Sequence, residues 1–294
     1  MLAIIIPYFK IDFFEKTLES LSNQTNKNFC VYIGDDASPQ NCLDLLKKFE
    51  KRIKFKYKKF DDNFGGINFV HQWNRCIDLV ENEEWLTILG DDDFLSDNFV
   101  EQFYNKRDVF EKKYDVVRFS VIKIDGEGNT ISNVYTNSVI ENSKNILFNN
   151  KRSSLSEYVF RKENLLSIGF KDFPLAWWSD VLAVLEFSNF GEIFSINDAI
   201  VYVRISNISI SGDKKFEKEK ECASLLFYSY LLLKKKIFFN KKEIDILLLK
   251  ASKIYLNNKK KHKFFYKISI LHLKNRQYKM YFKFIIAIVN SFFK

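Results

Sequence analysis

The first 112 residues alternate between short apolar runs and longer stretches with helical periodicity. The apolar runs cover residues 3–8, 30–34, 53–58 and 85–90, and the helical stretches cover residues 13–22, 42–51, 68–80 and 99–112. Strands that alternate with helices pair in parallel through right-handed crossover connections. The pattern therefore predicts an α/β fold, a Rossmann-like and mostly parallel sheet flanked by helices, with ligands bound where the strands end.

The fourth apolar run ends at three consecutive aspartates, Asp91, Asp92 and Asp93. Adjacent carboxylates repel one another, and the repulsion grows as they leave bulk water. A hard cation such as Mn²⁺ or Mg²⁺ offsets this repulsion by binding one or two carboxylates together with the phosphate oxygens of a substrate. The alternative is a solvated turn in which Asp93 or Ser96 caps the helix that begins near Asp97.

Residues suited to ligand contact also stand at the ends of the first three apolar runs. Pro7 and Tyr8 close the first run, Asp35 and Asp36 follow the second, and Asn63, Gly65 and Gly66 follow the third. Because parallel strands end at the same edge of a sheet, the four sets of residues are expected to converge on one nucleotide pocket.

Composition limits the class of protein and its compartment. The chain is 47% hydrophobic and 17% aromatic, which is ample material for a core and excludes disorder. Its four cysteines lack the paired spacing of a zinc site and favour free buried thiols in a reducing compartment. The first apolar run lacks the basic flank and cleavage site of a signal peptide. We therefore expect a cytoplasmic protein.

Charge divides the chain into two parts. Residues 214–294 contain 21 lysines and arginines and five acids, a net charge of +16, whereas residues 1–213 carry −7 within the overall +9. We therefore expect an acidic domain over residues 1–212 and a basic, aromatic-rich helical extension over residues 213–294.

The composition of the extension favours contact with a membrane surface. Its last apolar run, residues 281–289, is too short to span a bilayer and is interrupted by Lys283. Helices that mix cations with aromatics lie at the interface of anionic membranes, here the inner face of the cytoplasmic membrane. The alternative is a helical subdomain that packs on the acidic domain with solvated lysines. No nucleic acid is expected as a partner, since no recognition motif accompanies the basic residues.

Five separated motifs resemble those of the family 2 glycosyltransferases of the GT-A fold. They are Ile6-Pro7-Tyr8, the segment 34–38, Asn63 to Gly65 with Asn74, Asp91 to Asp93, and Ser179-Asp180. The resemblance runs from about Leu2 to about Ser211 and implies an inverting, metal-dependent enzyme of bacterial surface polysaccharide synthesis. Such an enzyme moves a hexosyl or N-acetylhexosaminyl group from a nucleoside-diphosphate sugar, here a UDP-sugar, to a hydroxyl of a saccharide or lipid-linked saccharide.

The resemblance also implies roles for individual residues. The nucleotide-binding residues would be Pro7, Tyr8, Asp35, Asp36, Asn63, Gly65, Asp91 and Arg204. Asp35 or Asp36 would accept hydrogen bonds from uracil or ribose, and Gly65 would let the backbone approach the ligand. Arg204 would contact the diphosphate or order a closing loop, unless it is a surface arginine on an edge strand.

In similar enzymes the acidic element reads Asp-x-Asp-Asp, whereas here Gly90 stands at the first position. The resemblance then implies Asp92 as the direct ligand of Mn²⁺ or Mg²⁺, with Asp93 beside it and Asp91 towards the ribose. The cation would neutralise charge on the departing nucleoside diphosphate.

The remaining chemical group implied by the resemblance is a general base, Asp180. A carboxylate near apolar walls has a raised pKa, which suits it to accept a proton from an acceptor hydroxyl. Asp180 follows Trp177 and Trp178, although it could instead only cap the next helix.

Two other classes of protein remain open. A nucleotidyltransferase would need a glycine-rich loop, and none follows Tyr8; a non-catalytic, membrane-associated nucleotide-sugar-binding module would need no base.

Overall fold

The computed structural model describes residues 1–149, 153–205, 214–257 and 262–290. The chain divides into two compact units: residues 1–172 with 179–213, and residues 173–178 with 214–294. The boundary predicted between residues 212 and 213 falls in the segment 206–213, which lies outside the described residues. The predicted α/β class with a helical C-terminal region is confirmed.

The first unit is built on a mixed sheet whose strands run in the order β3-β2-β1-β4-β8-β6-β9-β5, with β7 paired to β9. The strands are β1 (Leu2–Tyr8), β2 (Phe29–Asp35), β3 (Phe55–Lys59), β4 (Trp85–Ile88), β5 (Phe94–Leu95), β6 (Val116–Ile124), β7 (Ile140–Asn142), β8 (Tyr158–Arg161) and β9 (Glu192–Arg204). The helices are α1 (Phe14–Ser22), α2 (Leu43–Phe49), α3 (Phe69–Ile77), α4 (Phe99–Phe110), α5 (Asn145–Phe148), α6 (Lys162–Ile168) and α7 (Ser179–Phe187).

The first four strands pair in parallel, as the alternation predicts. β1 lies between β2 and β4 and is buried on both faces, which explains why its sequence is a continuous apolar run. The ring of Trp85 on β4 packs edge-on against Phe103 and Phe110 of α4, with ring centroids 6.0 and 5.2 Å apart. This packing fixes β4, and with it the acidic residues that follow, against the centre of the sheet.

The second half of the sheet departs from the parallel pattern. β8 lies between β4 and β6 and is antiparallel to both. The apolar pattern of residues 192–204 suggests two strands, at 192–196 and 199–204, but in the structure these residues form one strand, β9, which pairs in parallel with β6. The register shifts where Phe119 pairs with Ile196 and Ser120 with Ile200. This bulge interrupts the apolar pattern and explains why the sequence suggests two strands.

The glycine-containing segment Asp125-Gly-Glu-Gly-Asn129 is typical of a turn, and the structure has one there: the Asp125 N–H donates to the Asn129 carbonyl oxygen at 2.9 Å. The segment after it pairs with β6 only through isolated bridges, Thr130 with Ile124 and Tyr135 with Val121. All four cysteines are free, and Cys30, Cys42 and Cys76 are buried.

The described part of the second unit contains the α-helices α8 (Glu217–Lys234), α9 (Lys241–Asn257), α10 (His262–Lys274) and α11 (Tyr278–Asn290). The Trp178 ring stacks on Phe227 of α8 at 4.8 Å between centroids, and the Trp178 indole N–H donates to the Ser224 hydroxyl at 2.8 Å. Among the described residues, no helix combines the length and apolar character needed to cross a membrane.

Candidate functional site

A cleft of about 410 Å³ lies at the carboxyl ends of the parallel strands. Five of the residues predicted from the sequence line it: Pro7 at the end of β1, Asp36 after β2, Gly65 and Gly66 after β3, and Asp91 after β4. The parallel pairing of these strands is what brings together residues that are up to 84 positions apart. The predicted convergence of the strand ends on one pocket therefore occurs for at least one residue from each strand.

Asp91 ties the end of β4 to the end of β1. Its Oδ2 atom accepts hydrogen bonds from the N–H groups of Phe9 and Lys10 at 2.7 and 2.8 Å. Burial, with a further contribution from the charge of Asp92, raises the Asp91 pKa to about 6, while the two N–H groups oppose the rise. The cleft therefore contains a carboxylate that ionises close to neutral pH.

Asp93 fixes the acidic element to the rest of the sheet. Its side chain is buried, with Oδ1 accepting from the Arg204 N–H at 2.9 Å and Oδ2 from the Ser156 hydroxyl at 2.5 Å. The Thr17 hydroxyl donates to the Asp93 carbonyl at 2.7 Å. Both carboxylate oxygens are thus bound by protein groups. The helix-cap alternative does not apply, since α4 begins only at Phe99.

Asp92 differs from its neighbours, because its carboxylate makes no hydrogen bond to another residue in the described part of the chain. Burial raises its pKa, opposed by its own backbone N–H and by the charges of Lys10 and Arg204. A Cβ atom at Gly90 would lie 2.9 Å from Asp92 Oδ1 and 3.2 Å from Asp93 Oδ2. The glycine at the position where similar enzymes carry an acid therefore leaves room for these two carboxylates.

Asp36 organises the loop after β3. Its Oδ1 and Oδ2 atoms accept from the N–H groups of Phe64 and Gly65 at 2.8 and 2.7 Å, and its carboxylate forms an ion pair with Arg75. A Cβ atom at Gly65 would lie 2.5 Å from Asp36 Oδ2. The glycine thus permits the close approach of this carboxylate. Asn63 is exposed outside the cleft lining, and its Oδ1 accepts from the Gly66 N–H at 2.9 Å.

Tyr8 and Asp35 are buried, and their side chains do not line the cleft. The Tyr8 hydroxyl donates to the Gln40 carbonyl at 2.9 Å. Asp35 accepts from the Ser38 N–H at 2.8 Å and from the Tyr57 hydroxyl at 2.5 Å. In this structure both residues hold the loops at the ends of β1 and β2.

Arg204 is buried behind the acidic element, so the surface-arginine alternative does not apply. Its Nε atom donates to the Asp92 carbonyl at 3.0 Å, and Nη1 donates to the carbonyls of Asp125 and Gly126 at 2.7 and 3.0 Å. The guanidinium also lies over the Phe13 ring, 4.0 Å from its centroid. Arg204 therefore orders the acidic element rather than lining the cleft.

Asp180 lies in the first turn of α7 and is partly exposed. Its Oδ2 accepts from the Ser153 hydroxyl at 3.3 Å. Burial raises its pKa, and the charge of Glu157 raises it further against the effect of nearby hydrogen-bond donors. Asp180 is not itself among the residues that line the cleft; its partner Ser153 lies two residues before Leu155, which does line it.

The sequence did not indicate several residues of the cleft wall. Ser156 lies just before β8, and Trp73 lies on α3, an amphipathic helix where a core role was equally compatible. Phe9, Phe69 and Lys10 also line the cleft. The sequence could have indicated Phe9 and Lys10 by their position just after a strand end, and Phe69 by its position just after the glycine pair.

Comparison with known proteins agrees with this geometry. The sequence model of the family described as glycosyl transferase family 2 matches residues 3–166. An uncharacterized glycosyltransferase of Mycoplasma pneumoniae, the MG060 homolog, is 36% identical over 114 residues, which are 37% of this chain. The match spans only 36% of that relative's length.

Solved structures of S. aureus TarS share the fold. TarS 1–349 in complex with UDP-GlcNAc superposes with a TM-score of 0.67 at 16% identity, over 87% of this chain and 73% of TarS 1–349. A longer TarS structure gives a TM-score of 0.63 at 16% identity, over 86% of this chain and 43% of that one. At this identity the similarity establishes the fold alone, and the expected GT-A architecture is confirmed. Because the family model covers more than half of the sequence, the chain belongs to glycosyl transferase family 2.

Proposed function

We propose that this chain transfers a hexosyl or N-acetylhexosaminyl group from a UDP-sugar to a hydroxyl of a saccharide or lipid-linked saccharide, with inversion and with Mn²⁺ or Mg²⁺. The observation that carries the proposal is the cleft itself. It gathers residues from each of four strand ends and is lined by Gly90 and Asp91, which directly precede Asp92, whose carboxylate has no partner among the described residues. The TarS complex with UDP-GlcNAc, which shares the fold, supports a UDP-sugar as donor.

The cleft wall offers complementary surfaces for the donor. Phe9, Phe69 and Trp73 present aromatic rings against which a nucleobase can stack. Lys10 lines the same cleft and supplies a positive charge for a diphosphate. The Asp36 carboxylate retains acceptor capacity beyond its present partners, because a carboxylate has about four lone-pair sites.

The residues present fit a cation that is held largely by its substrate. No group of three or more His, Cys, Asp or Glu suited to a metal occurs in the described residues. Mg²⁺ and similar ions commonly bind through one or two carboxylates plus substrate phosphates. Asp92 would supply the free carboxylate. The hydrogen bonds that Asp93 makes to Ser156 and Arg204 would hold the acidic element in place. When bound, the cation neutralises charge that develops on the leaving diphosphate.

Asp180 is proposed as the general base. Its raised pKa favours acceptance of the proton that the acceptor hydroxyl loses as its oxygen attacks the anomeric carbon. The new glycosidic bond forms on the face opposite the departing UDP, so a single displacement inverts the configuration. No glycosyl-enzyme intermediate is required.

The test measures binding and UDP release separately. Asp92→Asn is expected to weaken Mn²⁺-dependent UDP binding at least about tenfold, the loss of one charged interaction. Asp180→Asn is expected to leave UDP binding intact and to reduce UDP release from a panel of UDP-sugars at least about a hundredfold. Asp44→Asn, with an exposed side chain, serves as the control, and thermal unfolding verifies that each variant folds.

Three outcomes would contradict the proposal. Full UDP release by Asp180→Asn would remove the proposed base. Unchanged Mn²⁺ dependence in Asp92→Asn would remove the proposed ligand. Tight binding of a UDP-sugar with no turnover in the wild-type protein would instead indicate a nucleotide-sugar-binding module.

A further inference from the structure

Helices α10 and α11 form a hairpin with one buried and one exposed side. On the buried side, the His272 ring stacks on Phe284 with centroids 5.6 Å apart, and Phe265 stacks on Phe284 at 6.2 Å. Ile268 and Leu271 are fully buried on the same side. The packing of the hairpin therefore uses one face of each helix and leaves the other face outward.

The outward faces are apolar rather than polar. On α10, Tyr266, Ile270 and Leu273 are 66, 48 and 46% exposed. On α11, Tyr278, Phe282 and Ile286 are 64, 66 and 42% exposed. Residues spaced by three or four positions lie on one side of a helix, so each helix carries a continuous apolar stripe. Contiguous stripes of this kind mark interaction surfaces rather than scattered exposed side chains.

The charge around the stripes has a single sign. Residues 262–290 contain six lysines and arginines and no aspartate or glutamate. Lys263, Lys274, Lys279 and Lys283 are exposed, and their helical spacing places them beside the stripes. The hairpin thus combines exposed aromatic and aliphatic side chains with a border of cations.

We propose that this hairpin docks on the surface of an anionic phospholipid bilayer, with both helices lying in the plane of the headgroups. Such a surface offers anionic phosphates to the lysines and an apolar interior to the stripes, and tyrosines are suited to the boundary between them. A second copy docked face to face through the same hairpin would bring the four exposed lysines beside the stripes against the same four lysines of the other copy. Charge complementarity therefore selects the lipid.

Vesicle flotation of the full chain tests the proposal. Binding is expected to vesicles that contain phosphatidylglycerol, to fall with salt, and to be absent with phosphatidylcholine alone. Lys279→Glu with Lys283→Glu should reduce binding at least about thirtyfold, since each basic residue near an anionic surface contributes about fivefold and each introduced carboxylate is repelled. Phe282→Ser should reduce it about tenfold. The matched controls, Lys241→Glu with Lys242→Glu and Ile237→Ser, alter exposed residues elsewhere in the unit and should retain binding.

Several results would overturn the proposal. The full chain could fail to bind anionic vesicles. The hairpin variants and the control variants could lose vesicle binding equally. Sedimentation could show a dimer of the chain that Phe282→Ser dissociates. The last would identify the hairpin as a contact between copies of the chain. None of these measurements involves sugar transfer, so their failure is distinguishable from failure of the proposed activity.

Discussion

The partly buried carboxylate of Asp91 leads to a prediction about stability and pH. Asp91→Asn keeps an oxygen that can accept the N–H groups of Phe9 and Lys10, but it removes the partly buried charge. We expect the variant to be more stable than the wild type at neutral pH. The advantage should shrink as the pH falls.

The magnitude follows from the shift of the Asp91 pKa, which rises from 3.8 to about 6. The folded wild type binds the Asp91 proton more tightly than the unfolded wild type does. The stability that this proton gives the wild type is therefore complete below the unfolded pKa and is lost as the pH rises through the folded pKa. The rise of about two units corresponds to about 3 kcal/mol. The unfolding free energy of the variant minus that of the wild type should therefore grow by about 3 kcal/mol between about pH 4 and pH 7.

The assay is urea unfolding of both proteins across this pH range, followed by tryptophan fluorescence. Asp44→Asn is the matched control, since it removes the same charge from a side chain that is 91% exposed. Its difference from the wild type should vary little with pH. A pH-independent difference for Asp91→Asn, or an equal slope for both variants, would refute the assignment of a raised pKa to Asp91.

Two further predictions concern the loops that shape the cleft. Gly65→Ala should lower stability by about 1–3 kcal/mol and weaken UDP binding, because its Cβ would displace the Asp36 carboxylate and break a charged hydrogen bond. Gly126→Ala, whose Cβ would meet nothing within 4 Å, should change neither thermal unfolding nor titration with UDP. Ser156→Ala should cost about 1.5–3 kcal/mol in urea unfolding, since it leaves a buried Asp93 oxygen without this donor; an unchanged midpoint would contradict that role.

The alternation of apolar and helical stretches was sufficient to predict the first four strands, because continuous burial leaves a continuous apolar run. It was insufficient for β8, whose four residues, Tyr158–Arg161, are too few to show a period. The sequence pattern was also insufficient to predict which face of the sheet each side chain at a strand end occupies. Side chains alternate between the faces of a strand, so Pro7 reaches the cleft while Tyr8 points into the core. The sequence marks both positions as polar strand ends without separating them.

The sequence by itself determined the fold class, the strand ends at which a site forms, and the basic, aromatic character of the C-terminal helices. Only the tertiary structure decided how the three aspartates differ. Asp93 is bound by Ser156 and by Arg204, which is 111 residues away, whereas Asp92 is left free of such partners among the described residues. The physical reason is that hydrogen-bond partners depend on which strands become neighbours in the sheet. The local sequence of a segment does not show which distant segment it will lie beside.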